Sequence, residues 1–391
     1  MTAPLLDRVR SRLVATQAEA TPGRVASALR AEGVVLGDEA VLTLVETLRR
    51  ELVGAGPLQS LLQQPEVTDV LVNGPDAVWI DRGEGLELTG IAFASDSDVR
   101  RLAQRLAAAV GRRLDDATPF VDARLADGTR LHAVIAPIAL DGTVISLRVP
   151  RRRAFTLPEL VDAGTIDHSG AAWLEALVAG RLAFVISGGT GTGKTTILSS
   201  LLGLVPATER IVVVEDSAEL GPEHPHVVRL QARLANIEGA GSVTMRDLVR
   251  QALRMRPDRI VIGEVRGAEV IELLAALNTG HEGGCGTLHA NSAADVPARL
   301  EALGLTAGLD REALHALAAA GLDAVVHLHR ERTGRRVVEG IYVLERGDGS
   351  FVRAVPALRR LRGRMVAEPG LRRIADRLHA SGATVPPVPT A

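Results

Sequence analysis

The 391-residue chain has a single cysteine, Cys285, and aromatic side chains make up only 2% of its residues. One cysteine excludes an intramolecular disulfide and a cysteine-based zinc site within one chain. The shortage of aromatic residues argues against a base-stacking surface for single-stranded nucleic acid, which needs exposed rings along a basic groove. The formal net charge of −2 provides no overall field that would attract DNA or an anionic membrane.

Long hydrophobic segments are also missing. No segment reaches the roughly 20 apolar residues that span a bilayer, and residues 1–23 carry charges where a secretory signal is continuously apolar. We therefore expect a cytoplasmic protein whose association with a membrane is peripheral. Apolar residues still make up 46% of the chain, which is enough for folded cores, and the length predicts two or three domains.

The spacing of apolar residues and turn formers divides the chain into five segments. Residues 1–50 show helical spacing, and residues 51–150 mix short β-type runs with an amphipathic helix, which is typical of a smaller α+β domain. Residues 151–170 form a polar linker in this interpretation. Over residues 171–345, helical patterns alternate with strongly apolar strands, which predicts an α/β fold with a mostly parallel sheet. Residues 346–391 are rich in arginine and proline and predict a frayed C-terminal tail.

A complete P-loop motif follows the apolar run Ala183 to Ser187 and precedes a run that is compatible with a helix. Its glycines allow the backbone to wrap around phosphates, and its amides and the helix N-terminus attract negative charge. We expect Lys194 to reach the β and γ phosphates of ATP and Thr195 to ligate Mg²⁺. The alternative interpretation is an ordinary glycine-rich turn between a strand and a helix. Such a turn does not require the complete P-loop motif between an apolar run and a helix-compatible run. The predicted nucleotide-binding residues are Gly188, Gly189, Thr190, Gly191, Thr192, Gly193, Lys194, Thr195 and Thr196.

Two further apolar strands bring carboxylates to the carboxyl edge of the predicted sheet, where open α/β sheets bind their ligands. One strand ends in Glu264, which we interpret as the Walker B acid that holds Mg²⁺ through water or polarises the attacking water. An earlier strand leads into Glu215, Asp216 and Glu219, and we expect one of these to be the general base. The alternative interpretation is a solvated acidic loop.

Taken together, these motifs resemble the ATPases of type II and type IV secretion systems. The similarity spans about residues 50–345, and the motifs occur in the family's order. They are Gly188 to Thr195, Val214-Glu215-Asp216 with Glu219, Arg256-Pro257-Asp258 running into Gly263 to Gly267, and Thr279 to Gly283 with Thr287 to Asn291. Four further segments resemble the subgroup, often called CpaF-like, that drives assembly of Flp or tight-adherence pili: Gly56-Pro57-Leu58, Val72 to Pro75, Val121 to Leu125 and Asp127-Gly128.

This resemblance implies a RecA-like core in a ring-shaped, usually hexameric motor at the cytoplasmic face of the membrane, acting with an integral membrane platform protein. It implies ATP and Mg²⁺ as cofactors. Motif alignment matches the family's catalytic glutamate to Glu219, with Glu215 as the other candidate, and puts Glu264 at the Walker B position. The family's histidine motif falls on His281 and His289, which we expect to sense the γ-phosphate through hydrogen bonds.

Family members also complete the nucleotide site with arginines of the N-terminal domain, and Arg124, Arg130 and Arg148 are the candidates by position. If residues 126–128 form a type I turn with a G1 bulge, Arg124 faces Arg130 across a hairpin and both side chains share one face. A plain two-residue Asp-Gly turn puts them on opposite faces. Like charges held side by side destabilise a sheet unless an anion joins them, so the first geometry favours phosphate binding.

Two other functions remain open at this point. A motor that moves nucleic acid can have the same core, because fold does not fix function, although the low basic charge and the few aromatic residues weigh against it. A scaffold that binds ATP without turnover is the second alternative. We expect no nucleic acid among the partners and only a packing role for Cys285.

Overall fold

The computed structural model describes residues 22–34, 37, 54–83, 85–149, 153–233, 241–347 and 351–389. The chain divides into two compact units, Met1–Arg152 and Arg153–Ala391. Each unit has its own sheet and its own buried apolar core. Among the described residues, no helix has the length and apolar content needed to cross a membrane.

Most of the predicted helical segment at residues 1–50 lies outside the described residues. Within them, Pro22–Ala31 forms helix α1, which buries Val25 and Leu29. Pro22 is the first residue of this helix. Proline is favoured in the first turn because the N–H that it lacks has no intrahelical partner there.

The first unit contains an antiparallel sheet of six strands. The strands are β1 (Asp69–Asn73), β2 (Val78–Asp81), β3 (Leu86–Leu88), β4 (Phe120–Arg124), β5 (Arg130–Val134) and β6 (Val144–Arg148), in the spatial order β3-β2-β1-β6-β5-β4. A 3₁₀ turn (Gly56–Leu58) leads into α2 (Gln59–Leu62), and the longer helix is α3 (Asp96–Ala109). Helix α3 buries Val99, Leu102 and Leu106, whose spacing places them on one helical face. This arrangement is the α+β mixture that the sequence predicts.

The hairpin between β4 and β5 has the bulged turn. The backbone N–H of Leu125 donates to the Thr129 carbonyl at 2.8 Å, and that of Gly128 donates to the Leu125 carbonyl at 2.9 Å. Gly128 has a φ of 91°, a left-handed conformation that glycine adopts without a steric penalty. Arg124 consequently lies directly opposite Arg130. The plain two-residue turn is excluded.

The second unit contains a nine-stranded sheet. Its strands are β7 (Phe184–Gly188), β8 (Ile211–Glu215), β9 (Val227–Gln231), β10 (Arg259–Val265), β11 (Cys285–His289), β12 (Ala324–Arg330), β13 (Arg336–Arg346), β14 (Val352–Leu361) and β15 (Arg364–Ala367). Its helices are α4 (Leu157–Asp162), α5 (His168–Ala179), α6 (Lys194–Leu202), α7 (Met245–Ala252), α8 (Glu269–Leu277), α9 (Val296–Thr306), α10 (Arg311–Gly321) and α11 (Leu371–Ala380), with a 3₁₀ turn at Ala293–Asp295.

This sheet has a parallel part and an antiparallel part. Its strand order is β15-β14-β13-β12-β7-β11-β10-β8-β9, and all neighbours from β12 to β9 are parallel. The strands from β12 to β15 pair antiparallel. Strand β8 is buried along its whole length, as expected where helices cover both faces of a parallel sheet. The fold is therefore the predicted α/β core, and β7, which leads into the P-loop, lies inside the parallel part.

Residues 346–391 do not form the predicted frayed tail, and that prediction was wrong. Strands β14 and β15 extend the sheet, and α11 buries Leu371, Ile374 and Leu378 in the core. The high arginine content concealed this structure because arginines occupy exposed positions while Leu358 and Met365 point inward. The predicted linker at residues 151–170 likewise contains the short helix α4 and the start of α5.

Candidate nucleotide site

The P-loop connects the end of β7 to the first residue of α6. Gly193 precedes the helix with a φ of 94°, which a residue with a side chain rarely adopts. A Cβ atom at Gly188 would lie only 2.7 Å from the Leu328 carbonyl oxygen, so this strand end also requires glycine. Within the loop, the Thr192 hydroxyl donates to the Gly189 carbonyl at 2.9 Å.

Lys194 is the buried cation of this loop, with a side chain that packs beneath it. Its Nζ donates to the carbonyls of Gly188 at 3.0 Å and Gly189 at 2.9 Å. Burial lowers the pKa of Lys194, and the carboxylates of Glu264 and Glu219 act in the opposite direction. The ammonium group is thus held at the loop with two acids within electrostatic range.

The remaining predicted P-loop residues follow the motif. Thr190 and Gly191 are exposed at the tip of the loop. Thr195 and Thr196 lie half-buried in the first turn of α6, where the unpaired N–H groups of a helix attract anions. The loop therefore presents backbone donors, one cation and one hydroxyl ligand at one end of the sheet.

Glu264 and His289 meet beside Lys194. Strand β10 carries Glu264, and His289 is the last residue of β11. The Glu264 Oε1 atom lies 2.8 Å from His289 Nε2, and the His289 ring nitrogens lie 3.4 Å from Lys194 Nζ. Burial and the Lys194 charge lower the pKa of His289, while Glu264 opposes them. A neutral His289 ring, located between an acid and a cation, is suited to act as a hydrogen-bonding partner.

Arg266 is a further member of this cluster to which the sequence analysis gave no role. It forms an ion pair with Glu264, and this contact raises the pKa of Arg266. The only local signal was a basic residue two positions after the Walker B acid, just beyond the end of β10 at Val265.

Glu215 and Glu219 have different environments. Glu215 is buried at the end of β8, and its Oε1 accepts the backbone N–H groups of Glu219 and Leu220, each at 2.9 Å. Burial raises the pKa of Glu215. A Cβ atom at Gly263 would lie 2.5 Å from Glu215 Cγ, so glycine makes room for this side chain. Glu215 therefore holds the loop in which Glu219 is exposed.

The oxygen atoms at this edge fit Mg²⁺. The Glu215 Oε2 atom is buried and has no hydrogen-bond partner among the described residues, and burial raises the pKa of Asp216 as well. Both features are expected where a hard cation is to offset converging carboxylates. No group of three His, Cys, Asp or Glu side chains in the described part of the chain has metal-site geometry. Mg²⁺ in nucleotide sites takes most of its ligands from phosphates and water, so such a site needs only one or two protein oxygens.

His281 lies at the opposite edge of the sheet from the P-loop. It precedes β11, and the parallel register pairs Cys285 with Phe184 at one end and His289 with Gly188 at the other. Four residues of strand therefore separate the level of the P-loop from the end near His281, or about 13 Å at 3.3 Å per residue. The structure does not bring His281 to the nucleotide site of its own chain, which corrects the expectation for this residue.

In the first unit, the three candidate arginines form a row across the sheet. Arg130 is directly opposite Arg124 on one side and Arg148 on the other, so their side chains share a face. Arg130 makes a two-point ion pair with Asp122, with distances of 3.1 Å and 2.7 Å. The Arg124 Nε donates to the Gly128 carbonyl at 3.1 Å. The row also contains acids, because Asp122 pairs with Arg130 and Asp69 of β1 lies directly opposite Arg148.

The chain is similar to several known proteins. A family model described as "Type II/IV secretion system protein" matches residues 51–346. A putative conjugal transfer protein of Mycobacterium tuberculosis is 57% identical over 321 residues, covering 81% of this chain and 91% of that protein. The conjugal transfer protein TrbB of Rhizobium radiobacter is 30% identical, covering 72% of this chain and 85% of its own length. The X-ray structure of the ATPase DotB of Yersinia pseudotuberculosis has a TM-score of 0.53 at 18% identity, covering 76% of this chain and 78% of that one, and it supports the fold alone.

Proposed function

We propose, from the premise that the chain belongs to the type II/IV secretion system protein family, that it hydrolyses ATP at its P-loop. The observation that carries this proposal is the cluster of Lys194, Glu264 and His289 at the carboxyl edge of the parallel sheet. The exposed Glu219 lies within electrostatic range of the same lysine. A cation for phosphates, an acid for the metal and an acid for water are the groups that phosphoryl transfer requires.

In this mechanism the P-loop amides and Lys194 bind the β and γ phosphates of ATP. Thr195 and Glu264 would hold Mg²⁺, which supplies charge neutralisation on the phosphate oxygens when it is bound. Glu219 orients a water molecule for attack on the γ-phosphorus and accepts its proton, while the bond from that phosphorus to the bridging oxygen breaks and ADP leaves. Glu215 keeps the Glu219 loop in place through its two backbone hydrogen bonds. His289 senses the γ-phosphate from its position between Lys194 and Glu264.

The arginine row extends the proposal to the first unit. Arg124, Arg130 and Arg148 would add guanidinium donors to the phosphates, because arginine forks match phosphate oxygens. The variant Arg148→Gln should weaken ATP binding, whereas Arg100→Gln, on helix α3 and paired with Asp116 at 2.5 Å, serves as the matched control. Equal ATP affinity of both variants would contradict the proposal that the arginine row binds the phosphates of ATP.

At the level of the whole machine, we propose a homohexameric ring at the cytoplasmic face of the membrane. It would act through an integral membrane platform protein and drive assembly of a Flp-type pilus or transport by a type II or type IV secretion system. The support is membership of the family, and the CpaF-like motifs favour the pilus. Cross-linking of the chain in membranes that contain the platform protein would test this partnership.

Transfer of nucleic acid is the second candidate function. It is favoured by the 57% identical relative whose name refers to conjugal transfer. The low aromatic content, 2% of the residues, weighs against base stacking within a channel. Stimulation of ATP turnover by DNA would support this second function over pilus assembly.

The deciding experiment is Mg²⁺-dependent ATP turnover by the purified chain, with oligomeric mass measured on the same samples. Lys194→Ala and Glu219→Gln should each lower kcat by about 100-fold or more, while Glu223→Gln, at an exposed position later in the same loop, is the matched control. Normal turnover by Glu219→Gln would transfer the role of base to Glu215 or Glu264. ATP binding without turnover in the unmodified ring would favour the scaffold alternative.

A further inference from the structure

The hairpin formed by β12 and β13 lies beside the P-loop and contacts it at three positions. His327 contacts the hydroxyl of Ser187, the residue before the loop. The carbonyl of Leu328 lies close to Gly188, and Arg336 donates a hydrogen bond to the loop backbone. The Leu328 contact belongs to the backbone pairing of β12 with β7, whereas the side chains of His327 and Arg336 make contacts beyond that pairing. They concern the loop itself.

The contact of His327 is fully buried. His327 pairs with Ser187 in the parallel register, and its Nδ1 lies 2.8 Å from the Ser187 hydroxyl. The His327 side chain is 2% exposed and Ser187 is 0% exposed. Burial lowers the pKa of His327, which favours the neutral ring, and Nδ1 of this ring shares a hydrogen bond with the Ser187 hydroxyl. Ser187 directly precedes Gly188, whose carbonyl binds Lys194.

The other side of the same ring faces two further segments. The backbone of Asn291, two residues beyond His289, forms a hydrogen bond with His327. Glu339 Oε2 lies 3.6 Å from His327 Nε2. His327 thus joins the base of the P-loop to the segment that follows His289.

A β-bulge directs Glu339 toward this ring. The register between β12 and β13 pairs His327 with Gly340 and Leu328 with Val338, which leaves Glu339 as the extra residue. Such bulges redirect a side chain and often occur next to active sites. The other charged groups that act on His327 are His329 of β12 and Asp295 of the 3₁₀ turn.

Arg336 contacts the tip of the P-loop, whereas His327 contacts Ser187 at its base. Its Nε donates to the Gly191 carbonyl at 3.0 Å. In a trans peptide the carbonyl and the following N–H point in opposite directions. Holding the Gly191 carbonyl toward Arg336 therefore turns the Thr192 N–H the other way, into the loop where a phosphate binds. The adjacent Arg335 binds the distant Gly164 carbonyl at 2.6 Å instead.

We propose that the β12–β13 hairpin sets the phosphate-binding geometry of the P-loop, with His327 and Arg336 as positioning residues. Both residues act through the loop backbone and through Ser187. The proposal rests on the proposed function, because it assumes that the P-loop binds a nucleotide. A preorganised loop binds ground state and transition state alike, so its loss should raise KM and leave kcat nearly unchanged.

The first test compares Arg336→Met with its neighbour Arg335→Met. The dissociation constant of a fluorescent ADP and the kcat and KM for ATP would be measured for both variants and for the unmodified chain. Loss of one charge-assisted hydrogen bond should weaken binding about tenfold in Arg336→Met, with kcat within about twofold. Arg335→Met should bind as the unmodified chain does. Equal affinities for all three proteins would overturn the role of Arg336.

The second test uses graded changes at His327 and Ser187. Asparagine places its amide group where Nδ1 of histidine lies, so His327→Asn should keep the Ser187 contact and bind nucleotide within about twofold of the original affinity. His327→Ala and Ser187→Ala should each bind about tenfold more weakly, since each removes a buried hydrogen bond. The unfolding midpoint of each variant shows whether it is folded. If His327→Ala does not fold, the affinities of Ser187→Ala and His327→Asn test the role of His327.

These outcomes separate the two proposals. If the unmodified chain binds no nucleotide, the proposed function fails. If it binds nucleotide and Ser187→Ala binds equally well, the function stands and His327 has no positioning role. A fall in kcat at constant KM for either residue would also contradict the inference, because it would indicate a role in chemistry instead of in loop geometry.

Discussion

The two edges of the parallel sheet both carry buried charges, but they pair them differently. At the amino edge, Arg259 is 2% exposed and donates to Glu209 at 2.6 Å and to the Val178 carbonyl at 3.0 Å. Arg181 binds the other oxygen of the same Glu209 at 3.0 Å. At the carboxyl edge, burial instead lowers the pKa of Lys194.

This difference separates a buried charge that is paired with a carboxylate from a buried charge whose pKa is moved toward the neutral form. A buried ion with complete partners contributes to structure, whereas buried groups whose pKa values move toward the neutral form mark functional sites. Glu215, with its raised pKa and one oxygen without a partner among the described residues, belongs to the second class. The following experiments test whether the two edges can be disrupted independently.

The largest effect is expected at the amino edge, on stability. Glu209→Gln removes the carboxylate shared by Arg181 and Arg259 and leaves a buried guanidinium uncompensated, which should lower the free energy of unfolding by about 3–5 kcal/mol. Denaturant titration measures this change. Glu282→Gln is the matched control, because Glu282 is exposed and 3.9 Å from Arg181, and it should cost less than about 1 kcal/mol. Similar losses in both variants would contradict the distinction between paired and exposed charges.

His281 and His289 belong to one motif but lie at opposite edges of the parallel sheet, so their substitutions should have different effects on ATP turnover. His289→Asn removes the ring that contacts both Glu264 and Lys194 and should lower ATP turnover about tenfold, whereas His281→Asn should leave turnover unchanged. Steady-state ATPase assays on both variants test this. Loss of turnover in His281→Asn would show that the amino edge also serves a nucleotide site, for example that of a neighbouring subunit.

Lys194 is the only lysine of the chain, so amine modification reports on this one side chain. Its lowered pKa means that a larger fraction is neutral, and therefore nucleophilic, at any given pH below about 10.4. Carbamylation followed by mass spectrometry should show a half-maximal pH below that of free lysine in the same solution, and ATP should block the reaction. Labelling that ATP does not affect would contradict the placement of Lys194 in the nucleotide site.

The smallest effect is expected at Cys285, the first residue of β11. Burial raises the pKa of its thiol to about 12, so the reactive thiolate is scarce at neutral pH. Thiol reagents at pH 8 should label the denatured chain rapidly and the native chain very slowly. Rapid labelling of the native protein would mean that this part of the sheet opens readily.

The sequence was most informative where the signal is local. The P-loop, the strand before it and the strands that end in Glu215 and Glu264 follow from short runs of apolar residues and their flanks. The bulged turn at Gly128 was one of two alternatives, and hydrogen bonding within five residues selects it. Membership of the secretion family followed from motifs in a fixed order and was confirmed.

The sequence was least informative where a residue's role depends on strands far away along the chain. The buried residues of β14, Val352, Ala357 and Leu358, were concealed among arginines and follow no regular alternation, because the pairing and packing of the strand decide which positions are covered. The contact between Ser187 and His327 joins positions 140 residues apart. Such contacts carry no short-range pattern.

By itself, the sequence indicated the P-loop motif, its lysine and the acids that follow apolar strands. Glycine spacing and strand periodicity are local properties that persist in any fold containing them. Only the tertiary structure decided that Glu215 is buried and Glu219 is exposed. It also decided that His289, and not His281, contacts Lys194. The reason is geometric, since strand order and register, set by packing of the whole core, determine which ends of distant segments meet.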